Sequence, residues 1–105
     1  MIPFKTIRIG AHDYIVRPLG KDELDKKTLG MCDEENTSIY MRDSYATPAI
    51  EVETLIHEIC HGIWFHMGLK EKDASERVVR AMGIGFTALI RDNPGLFKWI
   101  FGKLK

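Results

Sequence analysis

A chain of 105 residues, 45% of them hydrophobic, holds enough apolar material for one packed core and is short for two, so residues 1–105 read as a single domain. Fifteen basic residues balance fifteen acidic ones, which removes the global electrostatic argument for a nucleic-acid partner. No apolar run approaches the ~20 residues of a membrane span, and Met1-Ile2-Pro3-Phe4-Lys5 lacks the apolar core of a secretory signal. With only Cys32 and Cys60 as thiols, the expectation is a cytoplasmic protein with reduced cysteines and no membrane partner.

Taken in order, Thr6-Ile7-Arg8-Ile9 and Tyr14-Ile15-Val16-Arg17 are β-branched and aromatic stretches that read as a hairpin across Gly10-Ala11-His12-Asp13, with His12 solvated in the turn. Lys21 to Lys27 is a charged connection with room for one helical turn. Thr28 to Asp33 and Thr37 to Met41 read as a second hairpin, joined across Asp33-Glu34-Glu35-Asn36. That acidic turn lacks the alternating oxygen ligands and central glycine of a calcium loop, so it reads as solvated.

Thr47-Pro48 is a helix start, a hydroxyl N-cap followed by proline in the first helical position. The helix is expected to run to about Met67, with Gly68 in the C′ position. Val52, Ile56, Ile59, Ile63 and Met67 form an apolar stripe along it, flanked by Trp64 and Phe65. Opposite lies His57-Glu58-Ile59-Cys60-His61. Residues four apart on a helix share a face, so His57 and His61 can aim two imidazoles at one metal ion, with Glu58 at the edge of that face, where it reaches a metal-bound water. This H-E-x-x-H spacing suits two zinc ligands and a general base; the bland alternative is two solvated histidines beside an unrelated glutamate. His66 does not fit the third-histidine spacing of longer motifs and reads as exposed.

A second long helix is expected from Asp73 to about Arg91, with Val78, Val79, Met82, Phe86, Leu89 and Ile90 as its core face. Glu76, Arg80, Gly83 and Thr87 lie beside that face, and Gly83 and Gly85 suit close approach of another element. Asn93-Pro94 reads as the cap of a short third helix carrying Phe97, Ile100, Phe101 and Leu104. The order predicts an α+β fold: a small antiparallel sheet of two N-terminal hairpins packed by two long helices and a short C-terminal one, in a minimal zincin-like arrangement.

The run Glu53-Thr54-Leu55-Ile56-His57-Glu58 through Ile63-Trp64, with Glu76-Arg77-Val78-Val79 and Arg91-Asp92-Asn93-Pro94, resembles small phage-encoded metallopeptidase-like proteins related to the ImmA/IrrE metallo-endopeptidases. The resemblance implies zinc on His57 and His61, Glu58 as base, an acidic third ligand matching Glu76, and repressor-type proteins as substrates. It also implies that an edge strand, here Ser38 to Arg42, borders the cleft and that a peptide substrate adds to it. Independently, Glu76 is the first acid on the inward side of the second helix, though Asp73-Ala74-Ser75-Glu76 is equally a capping box. Tyr40, Arg42 and Tyr45, ahead of the motif helix, are candidate oxyanion donors. The expected function is therefore a zinc-dependent endopeptidase acting on a protein or peptide. The alternative is a non-catalytic phage or host interaction protein that keeps zinc as a structural clip.

Overall fold

Four strands form one sheet in which the fourth along the chain lies between the second and the third, so the second hairpin has its later strand inside the sheet. The computed structural model describes residues 2, 4–70 and 76–105; of Glu76, Val79, Arg80 and Gly83 only the backbone is described. The strands are β1 (Thr6–Ile9), β2 (His12–Pro18), β3 (Gly30–Asp33) and β4 (Ser38–Met41). The described helices are α1 (Lys21–Asp25), α2 (Pro48–His66), α3 (Glu76–Asp92) and α4 (Pro94–Leu104).

Both hairpins form as expected, but the sheet they build is mixed. β1–β2 and β3–β4 are antiparallel, while β2 and β4 run parallel, with Ile15 opposite Ser38 and Pro18 opposite Met41. This corrects the purely antiparallel sheet. Burial gives the physical reason: Ser38, Ile39 and Met41 of β4 are buried, whereas no residue of β3 is fully so, and the more apolar strand takes the interior place. Ser38 to Met41 is therefore not an edge. The open edge beside α2 is β3.

Inward-facing side chains alternate along the strands, Ile7 and Ile9, Tyr14, Ile39 and Met41, and meet Val52, Leu55, Ile59 and Ile63 of α2 with Leu89, Leu96 and Ile100 beyond. The buried stripe of α2 is turned slightly from the expected one. Leu55 is fully buried, whereas Ile56 keeps 36% of its surface exposed. The start and stop of α2 follow the sequence: the Thr47 side chain accepts from the Ile50 amide at 3.1 Å, and Gly68 adopts φ +69° after the last turn. The expected start of the next helix at Asp73 lies outside the described residues.

Gly85 lets α3 settle on α2, since a Cβ there would stand 2.6 Å from Ile63 Cγ2. Gly83's environment lies outside the described residues. Phe65 is exposed and does not pack inward.

The two edges of the sheet are treated differently. The Asn93 side chain accepts from the Arg8 amide at 2.8 Å, donates to the Arg8 carbonyl at 2.9 Å and donates to the Leu89 carbonyl at 2.9 Å. It thus occupies the outer edge of β1 as a further strand residue would. Asn93 stands at the N-cap position of α4 as expected, with Pro94 first in the helix, but its side chain makes no cap bond there. Asn93→Ala should cost about 1–2 kcal/mol through three lost bonds partly replaced by water, read as a fall in the urea midpoint without a change in slope.

Candidate functional site

The His57, Glu58, His61 turn lies at mid-length of α2, where the helix passes β3. Helical spacing brings the two histidine rings together: their Nε2 atoms are 3.2 Å apart, one ring donating and the other accepting, and both side chains face solvent. Glu58 behaves differently. It is only 6% exposed, turned under β3, with Oε2 3.2 Å and Cγ 3.3 Å from where a Cβ on Gly30 would sit. Thr54 approaches the same point even more closely, its Cγ2 at 2.7 Å, so glycine at residue 30 is what allows the strand to lie this near the helix.

A cavity of about 520 Å³ opens at this crossing, lined by Leu29 and Gly30 from the start of β3 and by Ile50, Glu53, Thr54, His57 and Glu58 of α2. The α2 residues fall at the i, i+3, i+4, i+7 and i+8 positions of one helical stripe. On the far side of His57 a second cavity of about 510 Å³ lies between α2 and α3, lined by His57, Cys60, His61, Trp64 and Met82. Within the first cavity Glu58 makes no hydrogen bond or ion pair among the described residues, and burial holds its carboxyl above the usual range, against the opposing pull of His57 and His61.

A raised carboxyl pKa means the fold prefers the neutral form. Glu58 therefore weakens the fold as pH rises through the ordinary carboxylate range, and that penalty is absent in more acidic solution. Glu58→Gln, neutral throughout, should melt higher than the natural chain at pH 7, with the difference shrinking toward pH 4. Thermal melts of both proteins at the two pH values check the sign.

Among the described residues no group of three or more histidine, cysteine, aspartate or glutamate side chains converges on a point that could hold a metal ion. A catalytic zinc needs three protein ligands and a structural one needs four, and here only the two histidine nitrogens approach each other. The expected third ligand, Glu76, has its side chain outside the described residues. Zinc as cofactor, the zincin-like arrangement, and the peptidase function and the structural zinc clip that both rested on it are corrected accordingly. Tyr40, Arg42 and Tyr45, the expected oxyanion donors, are not among the described residues that line the cavity at Glu58. The Tyr45 hydroxyl is committed, donating to the Leu29 carbonyl at 2.7 Å and accepting from the Arg42 amide at 2.8 Å. Tyr40 stands opposite Met31 in the sheet, and Arg42 lines a separate cavity with Phe4 and Val16.

Compared with protein-family models, curated proteins and solved structures, the chain matches none. The resemblance to ImmA/IrrE peptidases and to their phage relatives thus finds no support beyond the motif spacing itself, and the phage and peptidase assignments fall with it.

Two features were invisible in sequence. His66, expected to be exposed, is partly buried: its Nε2 lies 2.6 Å from the Tyr14 hydroxyl, and its ring stacks on His12 at 4.0 Å. Burial and then His12 push the His66 pKa down, which favours the neutral ring beside the Tyr14 hydroxyl. The second is the burial of Glu58, which depends on a strand 28 residues earlier in the chain passing overhead. On localisation, no described helix is long and apolar enough to cross a membrane.

Proposed function

We propose that this chain binds an extended segment of another protein, taken up as an additional strand on the free edge of β3. The observation that carries the reading is the asymmetry of the sheet. Asn93 satisfies the backbone of Arg8 on the β1 edge, while the outer side of β3 pairs with no strand among the described residues and borders a cavity. An edge strand offers unpaired amides and carbonyls that a peptide backbone matches, and pockets beside it select alternate side chains. Leu29 supports the reading, because it leads into β3 with 49% of its surface exposed and lines the cavity. Tyr45 holds the Leu29 carbonyl from below, which fixes the start of the strand before any partner arrives.

The test uses pools of blocked, fluorescent pentapeptides and their counterparts N-methylated at alternate amides. Binding by backbone pairing should be saturable and lost on N-methylation, which removes ladder donors while leaving the side chains. Binding indifferent to N-methylation, or no binding by any pool, would contradict the proposal.

A further inference from the structure

We infer that the cavity between Gly30 and α2 receives a cationic side chain, an arginine or lysine of a peptide lying along β3, whose charge meets Glu58 with Glu53 at the mouth. This rests on the reading of β3 as the receiving edge. Glu58 is more than nine-tenths buried, lines the cavity and has no partner among the described residues. A carboxylate held largely out of water with no hydrogen-bond partner but solvent costs the free chain some stability, and a cation arriving beside it recovers part of that cost.

The rest of the lining suits the same ligand. Leu29, Ile50 and the Thr54 methyl offer apolar surface for an aliphatic stem, while Glu53 and Glu58 supply two carboxylates and no lysine or arginine among the described residues lines the space. His57 also lines the cavity, and His57 and His61 attract the Glu58 carboxylate through space, but their Nε2 atoms face each other and neither ring makes a hydrogen bond or ion pair to it among the described residues. The surrounding charge points the same way. On β3, burial first and then the carboxylates of Glu34, Glu58 and Asp33 push the Cys32 thiol up to about 12, so acidic side chains act on this strand from nearby. Glu34 also acts on Glu58 through space, so a cation approaching β3 is drawn to it.

The experiment compares blocked pentapeptide pools carrying arginine, lysine, citrulline or norleucine at the centre, against the natural chain and Glu58→Gln. Citrulline keeps the shape and donors of arginine without its charge. The natural chain should bind the arginine and lysine pools at least about tenfold more tightly than the citrulline and norleucine pools, in an N-methyl-sensitive manner, and Glu58→Gln should reduce that preference to less than about threefold. Glu58→Gln is expected to fold, since it removes an unpartnered buried charge. Equal, N-methyl-sensitive binding of all four pools would overturn the cation site and leave the edge reading standing. A charge preference that survives intact in Glu58→Gln would also overturn it. If no pool shows N-methyl-sensitive binding, the edge reading itself fails and the cation site with it.

Discussion

Lys103→Met should lower the unfolding free energy by about 2 kcal/mol, the largest loss expected from any single surface-accessible side chain. Lys103 Nζ lies 2.9 Å from Glu51 Oε1, and Glu51 is only 5% exposed, in the first turn of α2. Methionine keeps the length and the packing against Trp99, whose ring centre is 5.8 Å from the ammonium, but leaves a buried carboxylate unpaired. Two circumstances hold the loss below the 3–5 kcal/mol typical of fully buried pairs: Lys103 retains about a third of its exposure, and Glu51 sits at the favourable positive end of a helix. A fall in melting temperature of about 8–10 °C corresponds to this loss for a domain of this size. The double variant Lys103→Met with Glu51→Gln should recover most of it. A double variant no better than Lys103→Met alone would show that packing, not the ion pair, holds α4 to α2.

Gly30→Val should abolish peptide binding while leaving a folded protein. A Cβ at residue 30 would stand 2.7 Å from Thr54 Cγ2 and 3.2 Å from Glu58 Oε2, so a valine fills the inner wall of the cavity and forces β3 outward or Glu58 aside. Overpacking of this kind costs about 1–3 kcal/mol, offset in part because valine suits a strand better than glycine. The expected loss of affinity exceeds about tenfold for every pool. Met31→Thr, on the same strand and turned to the opposite face, is the control: it alters the strand's composition without entering the cavity and should bind as the natural chain does. Unchanged affinity in a folded Gly30→Val protein would remove the cavity from the account.

What the sequence revealed and what it hid divide along the distance over which each feature is determined. The ends of α2 are local chemistry, a Thr47 hydroxyl on the Ile50 amide and a left-handed Gly68, and both were legible. So was the acidic turn between β3 and β4, which is tied by Asn36 donating to both Asp33 carboxylate oxygens, from its amide at 3.2 Å and its side chain at 2.8 Å. The meeting of the His57 and His61 rings follows from helical spacing alone. A third ligand does not, because it must come from another element, and the motif carries no information about where that element lies. The neighbouring Leu55 and Ile56 show a smaller version of the same problem: both are apolar, and only the position of the sheet decides which is buried. The parallel pairing of β2 with β4, the bond between Tyr14 and His66, and the clasp of Asn93 on Arg8 join residues far apart in sequence. Asn93 before a proline marks the helix start, and it does stand at the N-cap of α4, but its side chain goes to a long-range partner the pattern could not show.

The central claim is that β3, and not β1, is the edge that takes a partner. Nuclear Overhauser contacts between the amides of an isotope-labelled chain and an unlabelled, arginine-centred peptide test it most directly. Strand-to-strand contacts are expected from the peptide backbone to residues 30–33, with none to residues 6–9, where Asn93 already holds the edge. Contacts confined to β1, or to the outer faces of the helices with β3 untouched, would contradict it.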